Sequence, residues 1–184
     1  AWAGFTRSRR CIAVTNGTHA LEVALLGLGI GEGDEVIVTD YTFFASASAV
    51  ACVNATPILV DVDPHTFCID PAAVEAAITP RTRGVIAVHI AGHPADLDRL
   101  TAICTRHGLA LIEDCAHAHG SAWNGTPVGG FGAAGAWSFQ QSKLMTAGEG
   151  GAVTIQDPTT AYATSASAVT NGAIAAWKVV DRGG

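Results

Sequence analysis

Charge is scarce in this chain. Lys and Arg number 10 and Asp and Glu 16 among 184 residues, a charged fraction of 14% and a formal net charge of −6. No basic run interrupts that balance. This argues against a nucleic-acid partner, because phosphate backbones are gripped by clustered Lys and Arg. Unbroken apolar stretches long enough for a membrane span, about 18 residues, are also missing. The Arg7, Arg9, Arg10 cluster precedes an apolar run too short for a secretory leader. Cysteines are few and odd in number: Cys11, Cys52, Cys68, Cys104 and Cys115 form no C-x-x-C pair. That spacing excludes a disulfide framework or a zinc ribbon and points to free thiols in a reducing cytoplasm. H-E-x-x-H and P-loop strings do not occur. Gly27-Leu28-Gly29-Ile30-Gly31 follows a helical stretch and precedes a strand, the reverse of the polarity in a dinucleotide fingerprint.

What the chain does have is apolar mass, 49% of its residues, enough for one domain with a real core. Short apolar runs alternate with helical stretches. Strands are expected at 11–15, 35–39, 56–60, 84–89, 109–113, 134–138 and 151–155. Helices are expected at 18–28, 43–53, 70–78 and 95–107. In the first of these, Leu21, Leu25 and Leu28 keep helical spacing. In the third, Asp70 stands at the cap and Pro71 in the first turn. Such alternation implies an α/β domain, a mostly parallel sheet with helices on both faces. Ligands of such sheets bind beyond the carboxyl ends of the strands. The tail from Pro158 is rich in Ala, Ser and Thr and carries no clear pattern. The chain opens at Ala1 without Met and stops at Gly184. It is therefore expected to be a partial large domain, lacking an N-terminal segment and a C-terminal small domain.

Lys143 is the most informative residue. It is the first cation after Arg106, and it lies among small and apolar residues ahead of a Gly-rich turn. An amine in desolvated surroundings loses charge more easily and can attack a carbonyl to hold it as a Schiff base. Upstream, Leu109-Ala110-Leu111-Ile112-Glu113-Asp114 is an apolar strand ending in acid. A carboxylate such as Asp114 is costly there unless it meets a cation or strong donor, and a protonated ring nitrogen is one. Thr15-Asn16-Gly17-Thr18-His19 joins a strand to a helix and offers Gly17 and Thr18 to an anion, although a plain helix cap would look the same. Ser138 is a second candidate phosphate donor or merely a strand-end turn. Phe43 is a candidate for stacking on a flat ring, against the commoner fate of core packing. A rival reading gathers Asp114, His117 and His119, with His89 and His93 nearby, into a metal site, but H-x-H alone is unspecific.

Five strings taken together resemble the DegT-type sugar aminotransferases. These belong to the fold type I (aspartate aminotransferase-like) pyridoxal phosphate enzymes. The strings are TNGTHAL (15–21), GIGEGDEVIV (29–38), PILVDVDPHTFCIDP (57–71), IEDCAHAHG (112–120) and SFQQSKLMTAGEGG (138–151). The resemblance runs from about Arg10 to Asp157 and implies a role for each matching position. Lys143 would hold the aldehyde of pyridoxal 5′-phosphate and then shuttle a proton. Asp114 would pair with the pyridine nitrogen, and His117 would lie on the ring-hydroxyl side. Gly17, Thr18 and Ser138 would bind the phosphate, and Phe43 would stack. No metal is implied. The resemblance further implies a homodimer with its active site at the subunit interface.

Two branches of the family look nearest. One comprises aminotransferases that use glutamine or glutamate to aminate a keto-sugar or keto-cyclitol in antibiotic or amino-sugar biosynthesis. The other is 3-amino-5-hydroxybenzoate synthase, a dehydratase acting on an aminodehydroshikimate-like substrate with the same cofactor. TNGTHAL and DCAHAHG lean to the second, DVDPHTFCIDP to the first.

Overall fold

Short β-branched runs build the sheet, and their alternation builds two cores. The computed structural model describes residues 1–156 together with Thr160, Ala163, Thr164, Val180 and Asp181. The strands are β1 (Arg10–Val14), β2 (Glu35–Thr39), β3 (Thr56–Val60), β4 (Thr82–Val88), β5 (Ala110–Asp114), β6 (Ala122–Trp123), β7 (Thr126–Pro127), β8 (Ala134–Ser138), β9 (Gly151–Ile155) and β10 (Val180–Asp181). The α-helices are α1 (Trp2–Phe5), α2 (Gly17–Gly27), α3 (Ala45–Cys52), α4 (Pro71–Ala76) and α5 (Leu97–His107). One sheet runs β10-β1-β9-β8-β5-β4-β2-β3, and β6 with β7 makes a small separate ribbon. Strands β3, β2, β4, β5 and β8 pair in parallel. Strand β9 is antiparallel to both β8 and β1, so β1 runs the same way as the parallel set.

Because successive side chains of a strand face opposite ways, each central strand feeds both cores. Val36 and Val38 pack with Leu21, Leu25, Ala49 and Val50 of α2 and α3. Ile37 and Leu111 pack on the other face with Val74 of α4 and Leu97, Leu100 and Ile103 of α5. Helices thus cover both faces, as expected. Helix α5 shows how locally the elements are specified. Asp96 caps it by accepting from the Arg99 amide, its apolar residues fall on one stripe, and Gly108 ends it at φ 66°. Asp70 likewise caps α4 through the Ala72 amide, with Pro71 in the first turn, although the helix stops at Ala76, two residues short of the expected end.

Several expectations shift. The second helix begins at Ala45, so Phe43 lies in the connection before it. The fifth strand runs one residue further and ends on Asp114 itself. Helix α1, the β6–β7 ribbon and a short 3-10 turn at Ile90–Gly92 were not foreseen, being too short to show a period. The tail from Pro158 falls almost wholly outside the described residues. All five cysteines are free.

Glu113 ties the sheet to the segment that follows it. Its side chain is fully buried. It accepts from the amides of Gly129 (2.7 Å), Phe131 (2.8 Å) and Gly132 (2.9 Å) and from His89 Nε2 (3.2 Å). His89 Nδ1 accepts from the Ala95 amide, so the ring hydrogen sits on Nε2 and is donated to Glu113. The loop can come this close because residue 132 is glycine: a Cβ there would lie 2.2 Å from the Leu111 carbonyl oxygen. A buried carboxylate is tolerable only when its lone pairs are filled, and here four donors fill them. Glu113→Ala should strand all of these donors and lower unfolding free energy by at least about 3 kcal/mol, read as a fall in the urea midpoint.

Candidate active site

The carboxyl ends of β1, β5 and β8 and the connections after β2 and β8 enclose one cleft of about 490 Å³. Gly17, Thr18, Phe43, Asp114, His117, Ser138 and Lys143, the residues singled out from the sequence, all line it. Asn16, Thr42, Gln140 and Ser142 line it too and were not singled out as site residues.

At one end stands the start of α2. Asn16 Oδ1 accepts from the His19 amide, and the Asn16 carbonyl accepts from the Ala20 amide. The amides of Gly17 and Thr18 carry no partner among the described residues, as the first turn of a helix requires. Glycine at 17 is a packing requirement. A Cβ there would lie 2.7 Å from Ser138 Cβ, so the helix start and the end of β8 touch. Gly151 opens β9 under the same constraint, with a virtual Cβ 2.3 Å from the Asn16 carbonyl oxygen. Two free amides and the hydroxyls of Thr18 and Ser138 therefore gather in one corner, a setting that suits an anion.

At the floor lies Asp114, only 7% exposed. Its Oδ1 accepts from the Ala116 amide (3.1 Å), and its Oδ2 accepts from Ser46 Oγ (2.8 Å). No ion pair among the described residues involves Asp114. One lone pair on each oxygen remains for whatever enters the cleft. Ser46 is a neighbour of Asp114 that the sequence hid, one hydroxyl in the run Ala45-Ser46-Ala47-Ser48-Ala49. His117 follows the Asp114 turn. Burial pushes its imidazole below the usual value and the Lys143 ammonium adds to this, while Asp114 opposes.

Lys143 sits half-buried on the turn after β8, its amide donating to the Gln140 carbonyl at 2.9 Å. The expected apolar shelter is not there. Leu144 is 81% and Met145 43% exposed, because the Phe139 carbonyl accepts from the Ala147 amide and Thr146 Oγ1 and closes the loop outside the sheet. Phe43 is also exposed, and it rests against Phe44 with ring centroids 4.4 Å apart.

The metal reading loses its geometry. His119 turns away from the cleft, places Nε2 on the Ser138 carbonyl oxygen (2.8 Å) and packs among Trp2, Trp137 and Phe139. Among the described residues, the His, Cys, Asp and Glu side chains that converge within 4.8 Å are His89, Glu113 and Cys115. Both His89 nitrogens are already engaged. Burial pushes the Cys115 thiol well up, with Glu113 and Asp114 adding to the effect, so it stays protonated and is a poor ligand.

Comparison with known proteins bears on the family and the fold. The chain is 56% identical over 157 residues to L-glutamine:scyllo-inosose aminotransferase of Streptomyces griseus, a match covering 85% of this chain and 37% of that protein. An aminotransferase of Psychrobacter cryohalolentis superposes with a TM-score of 0.88 at 48% identity, over 90% of this chain and 42% of that one. A 3-amino-5-hydroxybenzoic acid synthase superposes at 0.85 with 46% identity, over 90% and 43%. The chain thus spans well under half the length of each. These likenesses assign the sheet to the fold type I architecture. Residues 1–175 match a single family, and the chain belongs to it: the DegT/DnrJ/EryC1/StrS aminotransferases.

Proposed function

We propose that this chain is the cofactor-binding part of a pyridoxal phosphate-dependent aminotransferase that moves an amino group from glutamine to a keto-cyclitol. The observation that carries the reading is Asp114, a buried carboxylate with one acceptor site open on each oxygen and no ion-pair partner among the described residues. A cleft that also offers an amine at Lys143 and an anion corner at Gly17, Thr18 and Ser138 fits the three ends of that cofactor. When bound, pyridoxal phosphate supplies a protonated ring that takes up the electron pair released at the amino carbon.

The chain's own residues do the rest. The Gly17 and Thr18 amides and the Thr18 and Ser138 hydroxyls hold the phosphate end. Asp114 keeps the ring nitrogen protonated by offering it a fixed negative charge. Lys143 would hold the carbonyl end of the cofactor and would carry the proton taken from the substrate's amino carbon. His117, kept mainly neutral by burial, presents a hydrogen-bonding ring on the hydroxyl side without adding a second positive charge. Phe43 supplies an exposed aromatic face for stacking.

The named activity of the Streptomyces griseus relative supports glutamine as donor and a keto-inositol as acceptor. The synthase branch is supported at lower identity, 46%. We take residues 1–184 as part of a large domain that works within a longer chain. A homodimer is favoured by Tyr41, Phe43, Phe44 and Phe67, all exposed beside the cleft. Five free thiols favour the cytoplasm, and no described helix is long and apolar enough to cross a membrane.

The full-length protein should be yellow, and borohydride should fix the cofactor covalently to Lys143. Label on Lys178 would sink the assignment. Lys143→Ala should lose at least about 10³-fold in rate and the visible band with it. Asp114→Asn should keep the cofactor but lose on the order of 10²-fold in kcat. A donor and acceptor screen decides the branch. Glutamine with scyllo-inosose should turn over, whereas turnover of an aminodehydroshikimate-type substrate instead would assign the chain to the synthases. Chelators should leave activity intact.

A further inference from the structure

The hydrogen bonds behind Asp114 have a direction. Ser46 is 1% exposed in the first turn of α3, and its Oγ lies 2.8 Å from Asp114 Oδ2. A carboxylate only accepts, so the single Ser46 hydrogen goes to Asp114. Thr42 Oγ1 lies 2.9 Å from Ser46 Oγ. With the Ser46 hydrogen committed, that contact is filled by the Thr42 hydrogen. Thr42 therefore donates to Ser46, and Ser46 donates to Asp114. The Ala116 amide donates to the other oxygen. The polar contacts that the described residues make to this carboxylate all push hydrogen toward it, and none is charged.

We propose that Ser46 and Thr42 form a one-way hydroxyl relay that sets where the proton sits between Asp114 and a basic ring nitrogen in the cleft. The inference rests on the pyridoxal phosphate reading and deepens it. A carboxylate and a ring nitrogen brought together share one proton, and its position follows their relative basicities. Each hydrogen bond donated to the carboxylate favours its charged form and lowers its proton affinity. The proton then stays on the nitrogen. Without the relay the carboxylate becomes the stronger base and draws the proton to itself, leaving the ring neutral. No atom is lost or gained and nothing is oxidised; one proton changes its resting place along a hydrogen bond. A second donor behind the first strengthens it, because a hydroxyl that accepts a hydrogen bond donates a stronger one.

Ser46 does not line the cleft and touches no substrate, so it is a positioning residue acting through Asp114. An ordinary serine of an Ala-rich helix would have no effect on the bound ring. Ser46 reaches the carboxyl end of β5 because the first turn of α3 packs over it, and Thr42 meets Ser46 from the connection that precedes the helix.

The test uses full-length protein loaded with cofactor carrying ¹⁵N in the ring, read by NMR. Wild type should show the protonated-nitrogen shift, and Asp114→Asn the unprotonated one. Ser46→Ala should move the resonance toward the unprotonated value and lower kcat about tenfold, with KM for the amino donor within about twofold. Ser46→Thr, which keeps the hydroxyl, should restore both. Thr42→Val leaves Ser46 in place, and should move the resonance in the same direction by less, so the relay remains readable if Ser46→Ala does not fold. A resonance unmoved in Ser46→Ala or, where that variant is unfolded, in Thr42→Val would overturn the relay, provided that Asp114→Asn moves it. A resonance unmoved in Asp114→Asn would overturn the pyridoxal phosphate reading itself.

Discussion

Two adjacent carboxylates at the end of one buried strand govern the rest of the architecture. Glu113 and Asp114 close β5 on opposite faces of the sheet, as the two-residue period of a strand requires. Glu113 is saturated by three amides and His89, and it fastens the loop at 129–132 to the sheet. Asp114 receives two neutral donors and keeps capacity in reserve. Burial makes every unfilled lone pair expensive, so the same rule yields a saturated clamp in one residue and a carboxylate with open acceptor sites in its neighbour. Exchanging their donor sets would leave the cleft without an acceptor and the loop without an anchor.

Close backbone approach does the second part of the work. Helix α2, strand β8 and strand β9 converge on one corner, and they can do so only because positions 17 and 151 lack a Cβ. The antiparallel β9 matters for the same reason. It returns the chain from the Lys143 turn straight past Asn16, so the amine and the free amides of α2 lie on the same cleft. A further parallel strand at that place would have needed a long crossover, and the lysine would have been carried away from the corner.

Much of this was legible in the sequence, for identifiable reasons. Strand and helix positions could be read because alternation and capping are local. Asp70 before Pro71 and the Leu97, Leu100, Ile103 stripe each report on a few neighbouring residues. Most candidate site residues could be read because they stood at or just after the end of a strand, and Lys143 because it stood among small and apolar residues ahead of a Gly-rich turn. What escaped was either too short to carry a period, as with α1 and the β6–β7 ribbon, or defined by partners distant in the chain. Ser46 meets Asp114 across 68 positions, and Glu113 binds a loop 16 to 19 residues on. His119 looked like a companion of His117, yet it left the cleft for the Ser138 carbonyl and an aromatic box.

The sequence by itself determined an α/β chain with a parallel sheet, and it marked Lys143 and Asp114 as candidate site residues. These follow from composition, period and spacing, which act over a few residues at a time. Only the tertiary structure decided the antiparallel ninth strand, the split of duties between Glu113 and Asp114, the exposure of the turn around Lys143, and the hydroxyl relay from Thr42 through Ser46. Each of these depends on which distant groups share a hydrogen bond or exclude water from one another, and long-range packing alone sets that.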